Sequence, residues 1–226
     1  MRNMLLAFLF AGCLILTCSL SAQTFTTLHL FDGPDGDLPN GGLIQATDGN
    51  FYGTAYSGGT NCVSGGGCGT VFKIAPEGTL TTIYSFCAKS DCIDGSGPYG
   101  GLIQATTGDF YGTTTYGGAN SCNGLSESGC GTLFKITAEG TLTTLYNFCS
   151  QNRGGVCEDG QWPFGPLVQG TDGSLYGTTL SGGSGKGNGA NNGGTIFKIT
   201  PDGKLTTLYN FCSQSNCPDG ARPFWA

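Results

Sequence analysis

A single unit of roughly 60 residues occurs three times in this chain, and this repetition constrains the fold more than any other feature. The copies span residues 41–87, 100–149 and 164–212. Each contains close variants of GGLIQATDG, FYGT, GTLFKI and TLTTLYNFC, in that order. Units that recur in tandem bury their apolar surfaces against one another, so the sequence predicts an array of similar modules.

Each copy divides into four strand-like pieces rich in Thr, Tyr, Phe, Ile and Leu. In the second copy these are residues 102–106, 109–115, 132–137 and 141–148. Tight turns such as Asp48-Gly49 and Glu77-Gly78 join the first piece to the second and the third to the fourth, because Gly supplies the positive φ of a short hairpin. The pattern predicts an all-β, β-propeller-like array of four-stranded antiparallel blades, with three full blades and partial ends.

The repeat also predicts two different faces. In a propeller, the loops between second and third strands and the connections between blades share one face, and the tight Gly turns occupy the other. We call the former the loop face. It is expected to carry the cysteines of the mature chain and four D-G-x-x-P motifs, at 35–39, 94–98, 159–163 and 219–223. Long loops on a rigid scaffold are where binding sites are usually found.

The two ends of the repeat region are incomplete units. Residues 26–31 (TTLHLF) match the fourth strand of a blade, and residues 222–226 stop where another first strand is due. We therefore expect a truncated or open arc, either completed by further blades or left with exposed sheet edges through which copies self-associate.

Residues 1–22 are typical of a secretory signal peptide, with Arg2, an apolar run and small residues before Gln23. A lipoprotein cleavage box ending at Cys13 and a retained membrane anchor are the alternatives. The repeat domain then spans 23–226, with no stable membrane span after signal removal, and the protein is expected to be secreted or held at the cell surface. A net charge of −6 without any Lys/Arg cluster argues against a nucleic-acid partner.

The ten cysteines after the signal form five close pairs, and the third copy lacks both members of one pair. Cysteines that appear and disappear in twos indicate disulfides, or else metal ligands. Zinc usually takes four ligands and no His accompanies them, so disulfides in an oxidising compartment are favoured. The expected bonds are Cys62–Cys68, Cys87–Cys92, Cys122–Cys130, Cys149–Cys157 and Cys212–Cys217.

The pattern GGLIQATDGNFYGT, then GG, GTVFKI, a Glu/Asp-Gly turn and TLTTIYSF resembles the bacterial tandem-repeat family called GloVer. The resemblance covers nearly all of residues 25–225. It implies a secreted or surface repeat protein and carries no established reaction or catalytic residues.

The candidate ligand-binding residues are Gln45, Gln104 and Gln169, which occupy equivalent places on the first, innermost strands, and Trp162, near a D-G-x-x-P motif. The amides are suited to a polar ligand such as a sugar, or alternatively to bonding neighbouring backbone. Trp162 and Trp225 are aromatic platforms for a carbohydrate.

Other residues favour structural roles. His29, the only histidine, stands where other copies have Tyr84, Tyr146 and Tyr209, and is interpreted as a strand filler. The acidic run at 32–37 lacks the spacing of an EF-hand and predicts a turn. The tyrosines of the Y-G-T motif are expected to pack between blades, namely Tyr52, Tyr111 and Tyr176.

These observations favour an exported repeat scaffold that binds a glycan or protein through its loop face, without catalysis, cofactor or metal. The first alternative is a propeller enzyme, a metal-assisted lactonase or lyase with its site at the channel mouth. The second is a non-functional truncated fragment.

Overall fold

The computed structural model describes residues 24–61, 68–122, 129–184 and 193–224, and these residues form antiparallel β-sheets without an α-helix. The predicted signal peptide lies outside the described residues. Strands are short, and residues Ser90–Cys92 form one 3₁₀ turn after the fourth strand. The strands are β1 (Ile44–Gln45), β2 (Phe51–Ala55), β3 (Thr70–Ile74), β4 (Leu80–Ser85), β5 (Ile103–Gln104), β6 (Phe110–Thr114), β7 (Thr132–Ile136), β8 (Leu142–Asn147), β9 (Asn152–Arg153), β10 (Val156–Cys157), β11 (Gln161–Pro163), β12 (Val168–Gln169), β13 (Leu175–Ser181), β14 (Thr195–Ile199) and β15 (Leu205–Asn210).

Each repeat forms one sheet whose strand order follows the chain, which confirms the prediction of four antiparallel strands per copy. The first sheet has the order β1-β2-β3-β4, the second β5-β6-β7-β8, and the third contains β12-β13-β14-β15. The innermost strands are only two residues long, shorter than expected. All three sheets have a register shift at the same place, beside Phe72, Phe134 and Phe197. The register shift is therefore a regular feature of the repeat.

The tight turns have the backbone geometry that the sequence predicts. Gly49 has φ of 84° and Gly78 has φ of 96°, values that other residues rarely adopt. A side chain at Gly49 would meet open space, and one at Gly78 would place its Cβ 2.9 Å from the Leu28 carbonyl oxygen, so the positive φ is the constraint that the two turns share. The turns thus fix the pairing register within each sheet.

Neighbouring sheets pack through an aromatic contact that repeats along the chain. The ring of Phe86, which follows the outer strand of the first sheet, contacts that of Phe134 in the second sheet, with 5.2 Å between ring centres. Phe148 contacts Phe197 at the same separation of ring centres. Phe31 meets Phe72 at 5.1 Å, so the N-terminal segment covers the first sheet as a preceding repeat's fourth strand would. Each of these ring pairs lies in one of the three clusters of buried apolar residues.

The tyrosine and glycine of the Y-G-T motif both serve this packing. Tyr52 is fully buried and stacks on Phe110 of the second sheet, at 4.1 Å between ring centres, as predicted. A Cβ atom on Gly112 would lie 2.6 Å from the ring of Phe134. Glycine is required there because the ring occupies the space of a side chain.

The D-G-x-x-P motifs are more than connections, which the sequence did not reveal. The first three each pair with the end of the second strand of the following sheet: Asp37 with Ser57, Ser96 with Tyr116, and β11 with β13. Every repeat therefore begins with a short additional paired segment. In the part of the chain that the structure describes, no helix is long and apolar enough to span a membrane.

Candidate functional site

The loop face forms as the repeat predicts, because loops and connections meet there directly. The amide of Gly97, in the second motif, donates to the Cys68 carbonyl at 2.9 Å. The amide of Trp162, in the third, donates to the Cys130 carbonyl at the same distance. Each connection is thus hydrogen-bonded to the loop of the preceding sheet.

All cysteines among the described residues are in disulfides. The four bonds seen in full are those predicted, namely Cys87–Cys92, Cys122–Cys130, Cys149–Cys157 and Cys212–Cys217. Cys68 is also bonded, and its predicted partner Cys62 lies outside the described residues. Disulfides at this density fit an oxidising compartment.

The aspartate of each D-G-x-x-P motif binds the end of the preceding fourth strand. Asp94 is fully buried; it accepts a 2.7 Å hydrogen bond from the phenol of Tyr84 and another from the amide of Ala88. Burial raises the pKa of Tyr84, and the hydrogen bond to Asp94 raises it further. The carboxylate therefore holds the cysteine-closed turn against the strand end.

His29 makes the same connection in the N-terminal segment. Its Nε2 lies 2.5 Å from Asp35 Oδ2, and Asp35 also accepts the amide of Asp32 at 2.9 Å. The histidine therefore replaces tyrosine as the hydrogen-bonding partner as well as in sequence position. The acidic run at 32–37 forms the expected turn, with Asp35 engaged internally.

Two of the three glutamines, Gln104 and Gln169, link one repeat to the preceding one. Gln104 Oε1 accepts the amide of Thr47 at 3.0 Å, while its Nε2 donates to the Gly108 carbonyl at 3.0 Å. Gln169 makes the corresponding bonds to Thr106 and Gly173. Gln45 reaches only the Gly49 carbonyl in its own turn, at 3.4 Å. Bonding to neighbouring backbone, the alternative raised from the sequence, is what this geometry shows; ligand binding by these amides stays a prediction.

Trp162 lies on the loop face within β11, at φ of 57°. Its indole is partly buried against the core around Cys130 and Phe148. The buried Nε1 has no hydrogen-bond partner among the described residues. Much of the ring is therefore packed inward, and its role as a platform stays a prediction; Trp225 lies outside the described residues.

Another aromatic cluster was missed from the sequence. The ring centres of Tyr99 and Phe164 lie 4.8 Å apart, and Phe164 stacks on Phe224 with 5.0 Å between ring centres. Each directly follows the proline of a D-G-x-x-P motif, where the first motif has Asn40. Equivalent residues of successive repeats can meet only on the inside of the arc, so the cluster lies at the inner rim of the loop face. The aromatic position after proline was the available signal.

A cavity of about 260 Å³ adjoins this cluster. Tyr99 and Phe164 provide aromatic walls, and Asn40 provides a polar side chain at its edge. The remaining lining is glycine backbone and aliphatic side chain, from Gly41, Gly42, Leu43, Ile44, Gly100, Gly101, Leu102 and Pro166. None of these lining residues carries a charge.

Glycine creates the shape of this rim. A Cβ on Gly100 would lie 2.6 Å from the Gly165 carbonyl oxygen, and one on Gly41 would lie 3.0 Å from Gly101 Cα. The innermost strands of neighbouring sheets therefore approach backbone to backbone. Thr54 contributes a hydrogen bond across this junction, donating to the Gly100 carbonyl at 3.1 Å.

A larger, open groove of about 620 Å³ lies between the N-terminal segment and the first sheet. Its polar walls include Asp35 and Tyr84, and both are engaged in the hydrogen bonds described above. The rim cavity combines aromatic surface, backbone polar groups and a defined shape, and is the better candidate site.

The fold and the rim together define an all-β protein of tandem four-stranded sheets with one elaborated face. The chain belongs to the Gloeobacter/Verrucomicrobia repeat family, whose model matches residues 11–225. No curated protein matches the sequence significantly.

Solved structures resemble the chain in fold. A protein of unknown function from Dyadobacter fermentans has a TM-score of 0.50 at 14% identity, over 80% of this chain and 57% of its own. A putative oxidoreductase (glucose dehydrogenase) from Thermus thermophilus has a TM-score of 0.44 at 17% identity, over 83% of this chain and 50% of its own. A periplasmic gluconolactonase from Pseudomonas aeruginosa has a TM-score of 0.38 at 14% identity, over 73% of this chain and 40% of its own. The chain thus spans between 40% and 57% of the length of these structures.

Proposed function

We propose that this protein is an exported, β-propeller-type repeat scaffold that binds a glycan at the inner rim of its loop face. The observation that carries the proposal is the placement of Tyr99 and Phe164 beside an uncharged, glycine-lined cavity. Aromatic faces pack against the C–H face of a sugar ring, where apolar area is buried without loss of hydroxyl hydration. The site therefore suits a carbohydrate.

The rest of the lining supplies the polar complement. The backbone of Gly41, Gly42, Gly100 and Gly101 lines the cavity, with the Gly100 carbonyl already accepting a hydrogen bond from Thr54, and Asn40 adds an amide donor and acceptor. A cavity without charge favours a neutral glycan over an acidic one, because a buried carboxylate or sulfate without a cation would be costly.

Binding to a panel of neutral and acidic oligosaccharides, followed by isothermal titration of the best ligand, tests the proposal. Y99A and F164A are each expected to weaken binding about tenfold, equivalent to about 1.4 kcal/mol. Y99F keeps the aromatic face and should retain most of the affinity. W162F, which preserves the packing of the neighbouring loop, serves as the matched control and should bind normally.

Other results would replace the proposal. Loss of binding in W162F but not in Y99A would move the site to the tryptophan, and a protein ligand that ignores both changes would move it off the rim. Hydrolysis of a sugar lactone that requires an added divalent ion would favour the enzymatic alternative.

A further inference from the structure

The two disulfides of the second repeat meet in one buried cluster of sulfur atoms. Cys122–Cys130 closes the loop after β6, and Cys149–Cys157 closes the connection after β8. The Sγ atoms of Cys122, Cys130 and Cys157 all lie within 4.8 Å of one another. All four cysteines are at most 3% exposed.

Backbone hydrogen bonds hold the two central sulfurs near each other. The carbonyl of Cys130 accepts the amide of Trp162 at 2.9 Å. The carbonyl of Cys157 accepts the amides of Gly160 at 3.0 Å and Gly183 at 2.8 Å. The backbone positions of Cys130 and Cys157 are therefore held by main-chain hydrogen bonds as well as by the two disulfides.

The surroundings of Cys157 also suit a thiol. Its Sγ lies 3.2 Å from Oε1 of Gln161, a fully buried side chain. A disulfide sulfur has no proton to donate, whereas a thiol at this position would donate one to that oxygen. The equivalent residues in the other three D-G-x-x-P motifs are Asp37, Ser96 and Ala221, so a glutamine amide occurs at this place only beside Cys157.

We propose that these disulfides form a thiol–disulfide exchange pair. Once Cys157 is released from Cys149, its thiol gives up the hydrogen bond to Gln161 and loses its proton to a base from solvent, and the thiolate attacks Cys130. The Cys122–Cys130 bond breaks, a Cys130–Cys157 bond forms, and Cys122 leaves as a thiolate that takes up a proton. The number of disulfides is unchanged in this step. In the unmodified protein an external dithiol reductant performs the initial release and is itself oxidised to a disulfide.

The exchange changes the covalent cross-links of the loop face. The loop after β6 loses its own closure, and its base becomes covalently joined to the connection that leads into the third repeat. Reduction of the Cys149–Cys157 bond thereby changes which residue is bonded to Cys130 at the base of the loop after β6.

The third repeat provides a matched control. Cys212 and Cys217 occupy the positions of Cys149 and Cys157 and are also joined by a disulfide. The loop between β13 and β14 contains no cysteine, so the third repeat has no counterpart of Cys122–Cys130. Release of Cys217 should therefore leave it as a thiol.

The test uses C149S and C212S in the full chain, with rapid alkylation of free thiols, proteolysis without reduction and mass spectrometry of the linked peptides. C149S is expected to contain a Cys130–Cys157 bond and an alkylated Cys122, whereas C212S contains an alkylated Cys217 and an intact Cys122–Cys130 bond. An alkylated Cys157 beside an intact Cys122–Cys130 bond, or a Cys122–Cys157 bond, overturns the proposal.

A second measurement needs no variant and guards against misfolding of C149S. The unmodified protein is treated with limiting dithiothreitol and alkylated at intervals. A Cys130–Cys157 peptide should appear after the first bond is reduced and before the last native pair is lost. A time course containing only native pairs and reduced cysteines contradicts the exchange.

Discussion

The phenol of Tyr146 donates a 2.7 Å hydrogen bond to Asp159, a fully buried carboxylate at the start of the next repeat. Tyr84 with Asp94, Tyr209 with Asp219, and His29 with Asp35 repeat the contact. The same carboxylates also accept backbone amides from the turn that follows the fourth strand, such as Ser150. The motif aspartate therefore joins the end of one repeat to the beginning of the next.

Y146F should lower the free energy of unfolding by about 1.5–3 kcal/mol, because it leaves a buried carboxylate without its phenol donor. Y209F removes the same bond at an exposed site, where Tyr209 is 40% accessible, and should cost much less. Urea denaturation of both variants measures the difference. Equal destabilisation would show that burial does not strengthen the contact.

The Tyr84 contact also predicts a response to alkaline pH. Burial and Asp94 raise the pKa of Tyr84 above its ordinary value near 10, so the phenol stays protonated in the folded state at pH values where the unfolded chain ionises. Its contribution to stability is complete below about pH 10 and is lost as pH rises further. The melting temperature should fall less steeply above pH 10 in Y84F than in the unmodified protein. Parallel curves would contradict the assignment.

The close approach of the inner strands predicts an asymmetric effect of alanine. G100A places a Cβ 2.6 Å from the Gly165 carbonyl oxygen, and this overpacking should cost about 1–3 kcal/mol. G165A, at the equivalent repeat position, meets only Thr178 Oγ1 at 3.5 Å and should be nearly neutral. Thermal melts compare the two variants. An unchanged melting temperature in G100A would show that the backbones at Gly100 and Gly165 can move apart without a loss of stability.

Gln104 predicts a further contrast between equivalent residues. Q104A removes the bonds to Thr47 and Gly108 and should destabilise the fold by about 1 kcal/mol. Q45A removes a single 3.4 Å bond and should have less effect. Urea midpoints report stability, and titration with the oligosaccharide identified above reports binding. Weaker binding by Q104A at unchanged stability would instead assign the glutamines to the ligand site.

Much of this architecture could be read from the repeat. The four strands, the glycine turns, the packing of Tyr52 and four cysteine pairs follow from local spacing, because hairpins and small disulfide loops depend on residues close in sequence. The role of His29 could be predicted only in part. Its alignment with Tyr84 indicated a strand position, but its bond to Asp35 could not be predicted because it depends on how the turn folds.

The sequence by itself determined the modules, since residue spacing sets strand period, turn geometry and the family of the chain. Only the tertiary structure decided what lies between modules. Tyr99, Phe164 and Phe224 stand more than fifty residues apart and form one cluster because successive sheets bring equivalent positions to the inner rim. Cys130 and Cys157 come together because the connection after β8 is hydrogen-bonded to the loop after β6. A repeat specifies each unit's own contacts, but side chains from different units meet according to how those units pack.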